Sequence, residues 1–136
     1  MKAVIDTNVV FEGLTARRGA CGLIVDAWLA GLFQPCVYTA LAYEYADVLA
    51  RKLSEARWLA LKPVLERMLA RAEFVPIYFS WRPTSPVPGD DLVIDCAMNA
   101  GTPVVMANVR DFRRARQSLG LAVMTPIEFV MRLERS

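Results

Sequence analysis

The chain has 136 residues, 55% of them apolar, so its length and composition fit one domain, spanning residues 1–136, with a single well-packed core. The formal net charge of +2 indicates no particular partner. Three cysteines in no paired motif, and no histidine, exclude a typical structural zinc site. Asp6 comes too early for a secretory leader, and no apolar run could cross a bilayer, so we expect a cytoplasmic protein.

Strands and helices alternate in the first part of the chain. Apolar residues at helical spacing indicate two helices, and Gly31 marks the end of the first. The predicted elements are a buried strand over 2–6, a helix over 19–32, a short strand over 35–38 and a helix from 39 to about 52. A further helix covers 57–71, which Pro63 either splits or kinks.

The second part of the chain continues the alternation after a loop rich in proline. The predicted elements are an extended segment over 74–79, the loop over 81–89, a helix from 90 to about 100, a buried strand over 103–107, a short basic helix over 110–119, a strand over 121–124 and a last helix from Pro126. The strands are apolar throughout rather than alternating. This pattern predicts an α/β fold with a mostly parallel sheet covered on both faces.

Acidic residues lie at the end of the first strand and in the later helices and turns. In a parallel sheet, ligands bind outside the carboxyl ends of the strands, so several of these acids could meet at one edge. Crowded carboxylates repel and need a cation, and all-oxygen ligands without an imidazole favour magnesium or manganese. Such a metal activates water to hydrolyse phosphodiesters. The candidate residues are Asp6, Glu44, Asp90, Asp91, Asp95, Asn108 and Asp111.

Each acid also has a structural interpretation. Asp6 could cap the turn after the strand, although a charge directly after a buried strand needs compensation, which favours a functional role. Taken alone, Glu44 is typical of a solvated helix residue, and Asp111 of a helix cap. Asp90 could serve as cap and ligand together. Asp91 could act only on the helix dipole, and Asp95 could line the site or reach solvent.

Four segments place these acids in order along the chain. Residues 3–8 read Ala-Val-Ile-Asp-Thr-Asn, and residues 39–44 set a hydroxyl residue five positions before a helical Glu. Residues 90–97 read Asp-Asp-Leu-Val-Ile-Asp-Cys-Ala, and residues 104–112 read Val-Val-Met-Ala-Asn-Val-Arg-Asp-Phe. The segments resemble the four motifs of PIN-domain proteins, most closely the VapC-type toxin ribonucleases of toxin–antitoxin pairs, and the resemblance covers essentially the whole chain.

The resemblance implies a PIN-like three-layer sandwich, with a mostly parallel central sheet and helices on both faces. It implies catalysis and Mg²⁺ or Mn²⁺ binding by Asp6, Glu44 and Asp90, with Asn108 as a further ligand where many members have a fourth acid. Asp111 would supply the remaining metal-binding carboxylate or orient a metal-bound water. Neighbouring residues would orient these ligands, Asn8 by a hydrogen bond to Asp6; they are Thr7, Asn8, Thr39, Asp91 and Asp95. The densest basic cluster is more typical of a solvated helix face, but beside a metal site Arg110, Arg113 and Arg114 would hold the RNA backbone.

Two departures from the family pattern keep rival functions open. Met106 stands where Thr or Ser is usual, and Asn108 is neutral, which would weaken a second metal. The leading hypothesis is a metal-dependent endoribonuclease in which a metal-activated water attacks RNA. The alternative is a catalytically weakened PIN domain that binds RNA or protein, and a third is a phosphatase or DNA nuclease using the same acids.

The resemblance also implies partners. A small antitoxin protein would lay an apolar segment along grooves near the site and present an Arg to the carboxylates. A homodimer is a further expectation, because the many apolar side chains leave surface for one. Among them are Trp28, Trp58 and Trp81, for which the sequence does not distinguish partner contact from core.

Overall fold

The computed structural model of the chain describes residues 1–80, 88–107 and 120–135, with only the backbone at 88–90. Within these ranges a parallel sheet alternates with helices. The strands are β1 (Lys2–Ile5), β2 (Gln34–Val37), β3 (Glu73–Phe74), β4 (Val104–Val105) and β5 (Val123–Met124). The helices are α1 (Thr7–Thr15), α2 (Gly19–Ala30), α3 (Thr39–Lys52), α4 (Glu55–Arg71), α5 (Pro88–Ala100) and α6 (Pro126–Glu134).

Strand β1 lies at the centre of the described sheet, whose order is β3-β2-β1-β4-β5 with every pairing parallel. It pairs with β2 at Lys2↔Gln34 and Ala3↔Pro35, and with β4 at Val4↔Val104 and Ile5↔Val105. Ala3, Val4 and Ile5 are all buried, as expected of a strand covered on both faces. The predicted α/β architecture is confirmed.

The core is organised around an aromatic group. Trp28 is 1% exposed, and its indole N–H donates a 2.7 Å hydrogen bond to the Met68 carbonyl. Its ring meets Phe33 and Tyr45 edge-on, at centroid separations of 6.2 and 6.3 Å. Trp28 is therefore a core residue and not a partner contact. Trp58 is half-buried, and Trp81 lies outside the described residues.

Helix α1 is absent from the predicted elements. Its residues include β-branched Val9 and Val10 and also Gly13, which have low intrinsic helix propensity. Tertiary packing overrides that propensity, since Val9, Val10 and Leu14 are each at most 2% exposed. Gly13 is required by the close approach of α2, because a Cβ there would lie 2.5 Å from the Cys21 carbonyl oxygen.

Several predicted boundaries differ from the structure. Helix α4 begins two residues earlier than predicted because Ser54 caps it, accepting a 3.2 Å hydrogen bond from the Arg57 N–H, and it runs through Pro63 without splitting. Helix α5 begins at Pro88 rather than at Asp90. Of the extended segment over 74–79, only Phe74 is in a strand, and the strands over 103–107 and 121–124 shorten to two residues each.

Some predicted elements are not tested by this structure. Residues 81–87 of the proline-rich loop, and the basic helix over 110–119, lie outside the described ranges. In the parts of the chain that are described, no helix has the length and apolar character needed to span a bilayer.

Candidate active site

Asp6 is fixed by its backbone at the carboxyl end of the central strand. Its N–H donates a 2.9 Å hydrogen bond to the Val105 carbonyl on β4, and its own carbonyl accepts from the Val9 and Val10 N–H groups in α1. Asp6 is the N-cap residue of α1, yet its side chain makes no capping hydrogen bond to that helix. With 5% of its surface exposed, the carboxylate is buried at the sheet edge where ligands of parallel sheets bind.

Thr7 adds a second polar group at the same point of the chain. It is 5% exposed, and its Oγ1 is buried without a hydrogen-bond partner in the described structure. Buried hydroxyl groups in native proteins are nearly always hydrogen-bonded, because leaving one unpaired costs free energy. An unsatisfied hydroxyl on the residue that follows a buried aspartate is typical of a site that binds a polar ligand or ion.

Glu44 approaches the same edge from α3. This helix begins at Thr39, directly after β2, so its first turns lie at the carboxyl ends of the strands. Glu44 is half-buried and lines an open groove with Tyr43 and Asp47. It is thus neither a core residue nor a fully solvated helix residue, while Thr39 is exposed.

Tyr45 joins these two parts of the site and was missed by sequence reasoning. Its hydroxyl donates a 2.5 Å hydrogen bond to the Ile5 carbonyl, and the side chain is 1% exposed. Burial, and then the nearby Cys96, Asp6 and Glu44, raise the pKa of Tyr45 well above its usual value. Both acids therefore act on one phenol. The available signal was a tyrosine on the apolar face of α3, since a buried Tyr needs a partner for its hydroxyl.

Helix α5 brings further acids toward this edge. Because α5 leads into the parallel strand β4, its amino-terminal end lies at the carboxyl ends of the strands. Asp90 lies in the first turn of α5, and its side chain is outside the described part. Asp91 is 6% exposed, and α5 packs against β1 and α3. The topology therefore brings the backbone of Asp90 toward the edge that bears Asp6.

Asp95 is buried, so the interpretation that it reaches solvent is wrong. It is 1% exposed, and its Oδ2 accepts a 2.8 Å hydrogen bond from the Ser80 hydroxyl. One turn later, the Asn99 amide accepts from the N–H groups of Tyr78 and Phe79 and donates to the Phe79 carbonyl. Asp95 and Asn99 thus hold residues 78–80 against α5, and a role for Asp95 in orienting metal ligands stays a prediction.

The other predicted site residues are placed as follows. Asn8 is exposed, and its role in orienting Asp6 stays a prediction. Met106, which replaces the usual hydroxyl residue, is 2% exposed and belongs to the core. Outside the described residues lie Asn108, Arg110, Asp111, Arg113 and Arg114.

The donor atoms at this edge fit a hard divalent cation. Side chains that the structure describes include no group of three His, Cys, Asp or Glu residues able to hold a metal. The Asp90, Asn108 and Asp111 side chains lie outside the described part of the chain. Burial raises the pKa of Cys36 to about 11 and that of Cys96 to about 12, so both stay protonated thiols. The Asp6 carboxylate and the Thr7 hydroxyl supply oxygen ligands, which suit magnesium or manganese.

Comparisons with known proteins agree with this fold. The family model described as PIN domain matches residues 2–108. One similar solved structure is VapBC2 from Rickettsia felis bound to a promoter DNA fragment, with 12% sequence identity, coverage of 92% of this chain and 98% of that chain, and a TM-score of 0.67. Another is FitAcB from Neisseria gonorrhoeae, with 16% identity, coverage of 92% of this chain and 98% of that chain, and a TM-score of 0.61. PAE2754 from Pyrobaculum aerophilum is also similar, with 14% identity, coverage of 100% of this chain and 91% of that chain, and a TM-score of 0.63. No curated protein sequence matches the chain.

The chain belongs to the PIN-domain family, since the matched residues make up most of its length. At these low identities the solved structures show a shared fold, and the resemblance read from the four motifs is confirmed at that level. PIN domains are generally nucleases that use divalent metal ions, so the family indicates a hydrolase.

The contact between Asp95 and Ser80 predicts a difference between two aspartates. Asp95→Ala removes a buried acceptor and leaves the Ser80 hydroxyl without it, so the free energy of unfolding should fall by about 1–3 kcal/mol. Asp95→Asn retains an oxygen that can accept the bond and should lose less. The control is Asp47→Ala, because Asp47 is exposed in an ion pair with Arg51 and such pairs contribute little. Urea unfolding measures all three, and equal losses at positions 95 and 47 would contradict the assignment.

Proposed function

We propose that the protein is a magnesium- or manganese-dependent endoribonuclease and the toxin component of a toxin–antitoxin pair. The observation that carries the proposal is a carboxylate, Asp6, buried at the carboxyl end of the central strand and linked through Tyr45 to the helix that bears Glu44. A divalent cation bound at that edge would be stabilised by this buried carboxylate. The family match supports a nuclease, and the four motifs support RNA as its substrate.

The acids at the sheet edge would hold the cation. Asp6, Glu44 and Asp90 are the proposed ligands, and Asp111 with Asn108 would complete the set. A cation bound there supplies a more acidic water and a positive charge against the phosphate oxygens. The Thr7 hydroxyl, which has no partner in the described structure, would donate a hydrogen bond to an oxygen held at the same place.

The groove beside Glu44 is suited to a nucleic-acid strand. Tyr43 is 73% exposed and lines this groove, where its ring offers a surface for base stacking. Arg51 lines the same groove and uses its Nε in the ion pair with Asp47, so its terminal nitrogens can meet a phosphate. The cluster of Arg110, Arg113 and Arg114 is proposed to hold the backbone on the other side of the site.

RNA cleavage in Mg²⁺ tests the proposed function. Asp6→Asn keeps the size of the side chain and removes its charge, so cleavage should fall by about 100-fold or more, since even residues that only orient a metal ligand account for roughly 10- to 100-fold. Glu44→Gln should lose activity in the same direction. The matched control is Asp26→Asn, an exposed aspartate of α2 paired with Arg17, which should cleave as the wild type does.

The same assay separates the rival functions. Single-stranded DNA and a phosphomonoester are offered beside RNA, and preferential cleavage of either one would replace the ribonuclease proposal. The buried Met106 favours the alternative of a weakened enzyme, because a core methionine cannot supply the hydroxyl usual in the fourth motif. If the wild-type protein binds RNA but cleaves no substrate with Mg²⁺ or Mn²⁺, the alternative of a binding module is correct. Equal cleavage by wild type and Asp6→Asn would exclude these acids as catalysts.

A small antitoxin is the proposed partner, and the protein is proposed to act in the cytoplasm. The support is the motif resemblance together with the fold shared with the VapBC2 and FitAcB structures. A homodimer is also proposed, because exposed apolar side chains remain on the adjacent helices α2 and α6, among them Leu23, Ile127 and Met131.

Expression in bacteria tests the partner. Wild type alone should stop growth, Asp6→Asn should not, and co-expression with a short protein encoded beside the gene should restore growth and co-purify with the chain. The wild-type protein could cleave RNA and yet neither stop growth nor co-purify with a short protein. That result would contradict the toxin assignment but not the nuclease proposal.

A further inference from the structure

The peptide group that joins Ile5 to Asp6 is held from both sides. Its N–H donates to the Val105 carbonyl at 2.9 Å, and its carbonyl accepts from the Tyr45 hydroxyl at 2.5 Å. The last paired residues between β1 and β2 are Ala3 and Pro35, so the Ile5 carbonyl lies beyond that ladder. A buried carbonyl needs a donor, and here the donor comes from a side chain of α3.

The Tyr45 ring is itself fixed by its surroundings. It meets Trp28 edge-on, with the two ring planes 72° apart, and Trp28 is anchored by its hydrogen bond to the Met68 carbonyl. A side chain that is 1% exposed and packed in this way has little freedom to rotate. The hydroxyl is therefore a rigid tie between α3 and the end of β1.

We propose that Tyr45 is a positioning residue of the acidic site, whose hydroxyl sets the placement of Asp6 relative to Glu44. The inference rests on the proposed function. Each of the two acids is the chain neighbour of one partner in this hydrogen bond, because Asp6 follows Ile5 and Glu44 precedes Tyr45. The hydrogen bond therefore joins two residues that are each directly bonded along the chain to one of the acids.

Metal sites are sensitive to such placement. Ligand distances must lie within about 0.2 Å of their preferred values, and a site loosened by about 1 Å loses function. Fixing both ends of the Ile5–Asp6 peptide fixes the direction in which the Asp6 side chain leaves the backbone. A tyrosine that only filled the core would stabilise the fold without affecting how tightly a cation is bound.

Tyr45→Phe distinguishes these two roles, since it removes the hydroxyl and keeps the ring. Mn²⁺ affinity should weaken by about 10- to 100-fold, as for other residues that orient metal ligands. At low Mn²⁺ kcat should fall while KM for RNA stays unchanged. The matched control is Phe129→Leu, which opens space at a fully buried ring of α6 and should lower Tm while leaving Mn²⁺ affinity at the wild-type value. Calorimetry with Mn²⁺, thermal melting and steady-state kinetics are measured on all the proteins.

The outcomes separate this inference from the proposed function. If wild type binds Mn²⁺ and Tyr45→Phe binds it equally well, or if affinity falls with Tm alike in both variants, the positioning role is wrong and the nuclease stands. If wild type neither binds Mn²⁺ nor cleaves RNA, the proposed function fails and this inference fails with it. Tyr45→Met also lacks the hydroxyl and fills the space with a flexible apolar chain, so it repeats the test if the Phe variant does not fold. Unfolding of both variants would assign Tyr45 to the stability of the whole fold and overturn the inference.

Discussion

The proposed site depends above all on one feature, the Asp6 carboxylate buried at the end of the central strand. An aspartate with 5% of its surface exposed has lost most of its hydration, and that loss must be offset by hydrogen bonds or positive charge. The backbone N–H and carbonyl of Asp6 are hydrogen-bonded to β4 and to α1, and its side chain does not cap the helix that it begins. The backbone of Asp6 is therefore held firmly at the sheet edge where the cation is proposed to bind.

The strand order brings the segments that bear other acids to this edge. Strand β1 lies between β2 and β4 in a parallel sheet, so elements that leave β2 or lead into β4 pass the same edge. Helix α3 leaves β2 and bears Glu44 in its second turn, and helix α5 leads into β4 and bears Asp90 in its first. Because the topology brings these chain segments to one edge, we expect acids separated by tens of positions to converge there.

Much of the fold follows from the sequence because burial leaves a periodic pattern. Helix α3 has the predicted bounds, and Gly31 ends α2 in the left-handed conformation, with φ of 74°, as a helix-terminating glycine does. Helix α1 escaped prediction because its formation depends on packing against α2, which no local propensity encodes. Helix α4 runs through Pro63 without splitting, an outcome that the sequence left open.

The site is predictable from the sequence only where its signal is local. Asp6 stands out because a charge follows directly on a buried strand, a signal that lies within six residues of sequence. The hydrogen bonds of Tyr45 and Asp95 join residues 40 and 15 positions apart, and only the folded chain brings these partners together. That the Thr7 hydroxyl is buried without a partner among the described residues is also a property of the three-dimensional arrangement.

Crystals of the protein soaked in Mn²⁺ test the central claim most directly, because anomalous scattering locates the ion without assuming its ligands. The account predicts a peak about 2 Å from a carboxylate oxygen of Asp6, with Glu44 and Asp90 directed at the same ion. Manganese bound elsewhere on the surface, or these three carboxylates facing separate sides of the molecule, would contradict it.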